Sequence, residues 1–353
     1  MTVWRTAMGV AAAAVLAWTG TATAQTDLVV AGYGGSFETI FKQKLAPGFE
    51  KKFNVKVNFV SGNSTETLAR VQAQKDNPQI DVTFVDDGPA FQGQALGLWE
   101  PIDATIVANL KNLYDLAKHK DGVGVDMGVV ATGLMYSPEI FKQKGWAPPT
   151  SWNDIARPEH AGHLVIPPIQ NTYGLHALVM FARMNGGSEK NINPGVDALK
   201  RFRKNVLVFE AQPGKHSELF QSKQAWIGVW GSGRVYSLAD TGFPVAFVYP
   251  KEGAIALGVT MNVVKGAKNR KLANEFINAM LDQEAQQVWA EGFKFGPYNK
   301  MVKLPPALAA KVPYGTEQIG KLMTGAARRE AGTDVTLSWE AAHTLLVPRG
   351  GGA

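Results

Sequence analysis

Asp86 and Asp87 stand side by side after an apolar run, Ile80 to Val85, where adjacent carboxylates could work as an acid and base pair. At a strand-to-loop junction the same pair serves more simply as a helix cap with a solvated neighbour, or as a ligand contact. Gly32, Gly34 and Gly35 follow another short apolar run, as in a loop that cradles a dinucleotide, but the third glycine and the acidic ribose partner are missing. A tight strand-to-helix turn or a generic ligand loop remains. His160 and His163 have metal-like spacing among Pro and Gly, yet no matching cluster accompanies them, so no metal and no cofactor are expected. No G-x-S-x-G elbow and no Ser/His/Asp set is suggested by position. Arg234 follows Gly231-Ser232-Gly233 where a helix should begin, and positive charge there opposes the helix dipole. Either it is a plain surface arginine or it makes a bidentate contact with a carboxylate or phosphate.

The elements that must position these residues repeat. Leu28 to Ala31, the alternation Val55, Val57, Phe59, and Ile80 to Val85 read as strands, each followed by a polar loop and a helical pattern. Phe37, Phe41, Leu45 and Phe49 give one apolar helical face despite Pro47, and Asn63 with Glu66 three residues later predicts a capping box. Three such units in about sixty residues mean an α/β sheet with parallel strands. Ligands of such sheets bind beyond the carboxyl ends of the strands, where helix N-termini offer free N–H groups. That places Tyr33, Gly34, Gly35, Ser36, Asn63, Ser64, Asp86 and Asp87 at a site. Gly122 to Tyr136 reads as a crossing to a second domain, in which Leu164 to Ile166, Val206 to Phe209, Ile227 to Trp230 and Val245 to Tyr249 are strands. Its loops add Gln170, Asn171, Thr172, Tyr173, Trp230, Ser232 and Arg234. Tyr249 to Asn269 reads as the return crossing, with a strand over 255–264, and Leu272, Phe276, Met280 and Val288 mark a helical face beyond it.

Composition narrows the class. The chain carries 36 Lys and Arg against 30 Asp and Glu, a net charge of +6 without any basic stripe, so a nucleic-acid partner is not expected. Zero cysteines exclude disulfides and thiolate chemistry. Arg5, the uncharged Ala-rich run Met8 to Trp18 and Ala22-Thr23-Ala24 form an export signal with cleavage expected after Ala24, which together with the missing cysteines suggests a bacterial periplasm. Leu346-Val347-Pro348-Arg349-Gly350 reads like a thrombin-type linker, and residues 346–353 carry no fold content.

Several stretches together resemble a known family, the polyamine-binding type of periplasmic solute-binding protein that serves ATP-driven importers. They are Tyr33-Gly34-Gly35-Ser36, the run from Asp81 to Pro101, Thr132 to Tyr136, Pro149-Thr150-Ser151-Trp152, and the segments Pro250 to Ala254 and Lys265 to Asn269. The resemblance covers nearly all of the chain after residue 24. It implies a bilobal α/β fold of the type II periplasmic-binding kind with two crossover hinge segments, and a ligand enclosed by hinge closure. It also implies no chemistry on the ligand, and delivery to an inner-membrane permease. The expected division is 25–128 with 260–305 as lobe 1, 129–259 as lobe 2, and a helical packing segment over 306–345, in a monomer.

The departures from the family concern its cargo. Polyamine binders of this type use a tryptophan and a carboxylate just after the Pro-Lys-Glu-Gly segment. By ungapped register Leu257 stands at the tryptophan position and Val259 at the aspartate position. In the second lobe, Ile169, Gln170, Asn171 and Thr172 occupy a region where acidic residues are expected. An ammonium taken from water without a counter-charge costs several kcal/mol, more than a hydrogen bond returns. The expectation is therefore a small neutral or anionic organic solute, met by the helix starts at Ser36, Ser64 and Thr172 and by Arg234. The alternatives are a polyamine, held with help from Asp86 and Asp87, and a periplasmic enzyme on a bilobal scaffold.

Overall fold

The computed structural model describes residues 26–189, 191–316 and 319. The expected export segment, the tail at 346–353 and most of the expected packing segment lie outside the described residues. Only a short helix, Pro306–Ala309, and the turns after it are described from the last of these.

The first half of the sheet follows the periodicity. β1 (Thr26–Gly32), β2 (Val55–Ser61) and β3 (Val82–Asp86) are parallel, with β1 between the other two. The long helix expected between β1 and β2 is α1 (Ser36–Ile40), a π-helical turn over Phe41–Leu45, and α2 (Ala46–Phe53). The Ala46 N–H bonds back to the Phe41 carbonyl, five residues away, so the wider turn falls just before Pro47, which then occupies the first turn of α2. Phe37, Phe41, Leu45 and Phe49 are all buried. Phe37 stacks on Trp289 at 4.3 Å between ring centres, and Phe84 and Phe276 close the same core. The capping box opens α3 (Ser64–Ala73): Asn63 Oδ1 accepts from the Glu66 N–H at 2.9 Å, and Glu66 Oε2 accepts from the Asn63 N–H at 3.0 Å. α4 (Asp87–Ala95) follows β3, and the two-residue β4 (Trp99–Glu100) completes this side.

The second half holds β6 (Leu164–Ile166), β7 (Val206–Phe209) and β8 (Ile227–Gly231), again parallel, with β6 central. α5 (Pro138–Gln143) precedes them, and α6 (Thr172–Met184), α7 (Asn193–Arg201), α8 (Pro213–Gln221) and α9 (Ser232–Ala239) pack around them. Its core contains Leu134, Trp152, Phe181, Ile166 and Val229.

Two long, buried strands join the halves. β5 (Val125–Tyr136) and β10 (Ile255–Val264) pair antiparallel from Ile255 opposite Thr132 to Met261 opposite Val125. β10 also pairs with β3, β5 pairs with β8, and the order becomes β2-β1-β3-β10-β5-β8-β6-β7. The parallel sheet expected from the repeats is therefore mixed, because each crossing strand runs antiparallel to its neighbours on this path. Short β9 (Ala246–Val248) and β11 (Gly296–Pro297) add to β5, while α10 (Arg270–Met280) and α11 (Gln283–Phe293) return to the first core.

A register shift between Val259 and Thr260 interrupts the central pair. Just beside it, Thr260 Oγ1 donates to Asp126 Oδ1 at 2.6 Å, and His119 Nε2 lies 3.0 Å from the same oxygen. Gly258 leaves room for that carboxylate, since a Cβ there would lie 2.7 Å from Asp126 Oδ2. Gly258→Ala is expected to destabilise the protein by about 1–3 kcal/mol through overpacking, measured as a fall in the urea midpoint at unchanged slope.

Candidate functional site

Reading the sheet order outward, β3 and β8 run in opposite directions, so the carboxyl ends of the two parallel sets face one another. A cleft of about 810 Å³ lies between them. That volume falls within the range of small-molecule sites, ~300–1,000 Å³.

From the first half come Tyr33, Gly34, Gly35 and Ser36 after β1, Asn63 and Ser64 after β2, and Asp86 at the end of β3. From the second come Gln170, Asn171, Thr172 and Tyr173 after β6, with Trp230 and Arg234 around the end of β8. Gly35 has φ +70°, the left-handed turn that lets the chain enter α1. Asn171 caps α6 by accepting from the Tyr173 N–H at 2.9 Å. The N-terminal ends of α1, α3, α6 and α9 thereby contribute wall residues to the cleft.

Asp87, Ser232 and Leu257 are the expected residues that do not line this cleft. Asp87 is buried at the start of α4, where its Oδ1 accepts from the Gly88 N–H at 2.9 Å; it is not the solvated neighbour of a cap. Ser232 is fully buried, and its Oγ accepts from the Ala131 N–H at 3.0 Å, tying α9 to β5. Leu257 sits opposite Val130 inside the central strand pair and joins the first core. Strand alternation and burial take these three away. The sequence reading omitted Ser61, Gly62, Thr65 and Glu66 around the start of α3, the segment 211–214 with Ser217 of α8, and Ser237 and Leu238 of α9. Segment 211–214 follows β7 at its carboxyl end, so the rule that located the other loops applies to it as well.

Asp86 occupies the N-cap position of α4 without its side chain capping the helix. Instead Tyr33 Oη donates to Asp86 Oδ1 at 2.5 Å, and Thr172 Oγ1, from the opposite wall, donates to Asp86 Oδ2. Ser64 Oγ accepts from the Asp86 N–H at 3.0 Å and donates to Tyr33 Oη at 3.4 Å. Burial, and then the neighbouring Asp86 carboxylate, hold the Tyr33 hydroxyl well above its usual pKa, so it remains a donor.

Across the cleft, burial raises the pKa of Tyr173, while the adjacent Arg234 guanidinium acts in the opposite direction. Arg234 also lies 5.9 Å from the Trp230 ring centre and 5.5 Å from that of Phe293. It makes no ion pair among the described residues. Behind Trp230, the fully buried His216 stacks on it at 3.9 Å. The histidine pair singled out in the sequence is placed structurally: His160 Nδ1 faces the Asp154 carbonyl at 3.0 Å, and His163 Nδ1 faces that of Gln224 at 2.8 Å.

The family model for bacterial extracellular solute-binding proteins matches residues 44–316. The chain belongs to that family. Its members are extracellular or periplasmic receptors for small molecules, serving importers driven by ATP. This solute-binding protein is 30% identical over 288 residues to an uncharacterized protein of Haemophilus influenzae, covering 79% of this chain and 80% of the other. It is 23% identical over 250 residues to the spermidine/putrescine-binding periplasmic protein of Escherichia coli, covering 69% and 70%. The fold matches the periplasmic binding protein AfuA of Actinobacillus pleuropneumoniae, solved with exogenous fructose-6-phosphate, with a TM-score of 0.76 at 22% identity over 91% and 99% of the two chains. The solute-binding protein therefore has the bilobal fold expected from its motifs.

Burial depresses the His216 pKa to about 3, so the folded protein keeps this ring neutral where the unfolded chain takes up a proton near pH 6.5. Its contribution to stability is complete above pH 6.5 and is lost as pH falls from there toward 3, at up to about 1.4 kcal/mol per pH unit. Urea titrations from pH 7 to 5 are expected to show a shallower loss of stability in His216→Phe than in the wild type.

Proposed function

We propose that this solute-binding protein captures an anionic organic solute, bearing a carboxylate or a phosphate, and delivers it to a membrane permease. The observation that carries the reading is the Arg234 guanidinium on the cleft wall, which has no carboxylate partner among the described residues. Asp86, Glu66 and Arg234 are the charged wall residues of the cleft. Asp86 accepts from Tyr33 and Thr172, and Glu66 is engaged in its capping box. Arg234 is left without a carboxylate partner among the described residues, half-buried between aromatic rings. A desolvated cation is costly alone, and a planar guanidinium matches carboxylate and phosphate oxygens in pairs. N–H groups at the ends of α3 and α6 favour the same sign of charge.

The cargoes named for relatives, polyamines in one case and a sugar phosphate in another, differ in charge, so membership of the family leaves the ligand open. We assign residues 25–128 with 260–305, and 129–259, to two lobes that close around the solute by bending β5 and β10. The exchange of pairing partners along those strands supports that division. The mature chain begins after Ala24 and acts as a monomer, without chemistry on its cargo. Membership of a family of transport receptors supports a receptor over an enzyme.

The test is calorimetric titration of refolded, solute-free protein with organic acids, sugar phosphates, putrescine and spermidine, guided by mass spectrometry of whatever small molecule co-purifies. Binding of an organic acid or phosphate ester is expected, weakened about 10- to 100-fold in Arg234→Gln, the loss of a hydrogen bond to a charged group costing about 1.5–3 kcal/mol. Tight spermidine binding with no response to anions would refute the reading.

A further inference from the structure

We propose that Asp86 is the charge-selecting residue of this cleft: by accepting from Thr172 across it, Asp86 makes closure and the capture of a cationic amine mutually exclusive. The inference rests on the anionic reading of the same site and adds the means by which amines are rejected. Asp86 ends β3 on one wall, and Thr172 begins α6 on the other, so their bond forms only when the walls approach. Within its own wall the carboxylate is already oriented, because Ser64 donates to Tyr33, Tyr33 donates to Oδ1, and the Asp86 N–H donates back to Ser64. That closed network leaves Oδ2 aimed across the cleft.

An alkylammonium entering the cleft needs a carboxylate to replace its water, and Asp86 is bonded to the hydroxyl of the wall residue Tyr33. Glu66 is exposed and committed to its helix cap. An NH₃⁺ group that takes the Thr172 position on Oδ2 displaces that hydroxyl and holds the walls apart. An anion seated at Arg234 leaves the Asp86–Thr172 bond intact, so its binding and closure reinforce one another. Thr172 is not the cap of its own helix, a role taken by Asn171, so its hydroxyl is free for this use.

The absence of native cysteine makes the test direct. Cysteines introduced at Lys56 and Lys204, exposed positions in β2 and just before β7, carry spin labels on opposite lobes. Pulsed distance measurements are made on refolded full-length protein without added solute. Thr172→Val is expected to shift the distribution toward longer distances, and Thr172→Ser, which keeps the hydroxyl, is expected to restore the wild-type distribution. An unchanged distribution in Thr172→Val, or equal lengthening in Thr172→Ser, overturns the latch. Spermidine is then titrated into the same proteins. Thr172→Val is expected to bind it about tenfold more tightly than wild type, the equivalent of one charge-assisted hydrogen bond no longer displaced. Equal or weaker binding overturns the selection. Neither readout depends on Arg234, so failure here is distinct from failure of the anionic reading, which the organic-acid titrations decide.

Discussion

The antiparallel pairing of β5 with β10 is the constraint on which the rest of the molecule depends. Both strands are buried along their whole length, and each exchanges partners along its course, β10 reaching β3 and β5 reaching β8. Their direction turns the second parallel set against the first, so two groups of loops meet face to face. The bulge at Val259 and Thr260, with Asp126 held by Thr260 and His119, fastens the pair on one side. On the other, Ala131 is tied to Ser232, and Thr132 Oγ1 lies 2.6 Å from His176 Nδ1. Between these fastenings the backbones of the two strands pair with each other and with the short β11.

The residues that mark the family are mostly scaffold. Lys251 N–H donates to the Thr150 carbonyl at 2.8 Å, Ser151 Oγ to Glu252 Oε1 at 2.5 Å, and Trp152 Nε1 to the Gly253 carbonyl at 2.8 Å. Two distant motifs are thus one structural clasp. Asn269 reaches the Asp27 carbonyl, its N–H meets Asp81, and Asp81 also accepts from Val29. Gly93 lies so close to Trp99 that a Cβ would fall 2.3 Å from the ring. Such positions hold the architecture and say little about what it carries.

Charge placement underlies the cargo proposed for this cleft. The Asp86 carboxylate, which accepts from two hydroxyls, stands across the cleft from the Arg234 guanidinium, which lacks an acidic partner among the described residues. Leu257 sharpens the contrast. It departs from the expected tryptophan, yet it packs inside the strand pair and does not line the cleft, so the substitution there acts on the core. The aromatic surface of the cleft comes from Tyr33, Tyr173 and Trp230, and Tyr173 packs against the cores of both halves.

Local sequence determined the elements themselves. Leu164–Ile166, Val206–Phe209 and Ile255–Val264 follow from apolar runs between breakers, and the capping box at Asn63 follows from side chains that reach only neighbouring backbone. Those interactions span a few residues and leave a readable pattern. The mixed direction of the sheet came from packing, as did the burial of Asp87 and Ser232. Each is a contact between segments far apart in the chain. The Asp86 carboxylate shows the difference most plainly. Sequence put it at the end of a strand beside a ligand site. Only the tertiary structure brought Tyr33, 53 residues away, and Thr172, 86 residues away, to its two oxygens, and so turned a helix-cap position into a bond across the cleft.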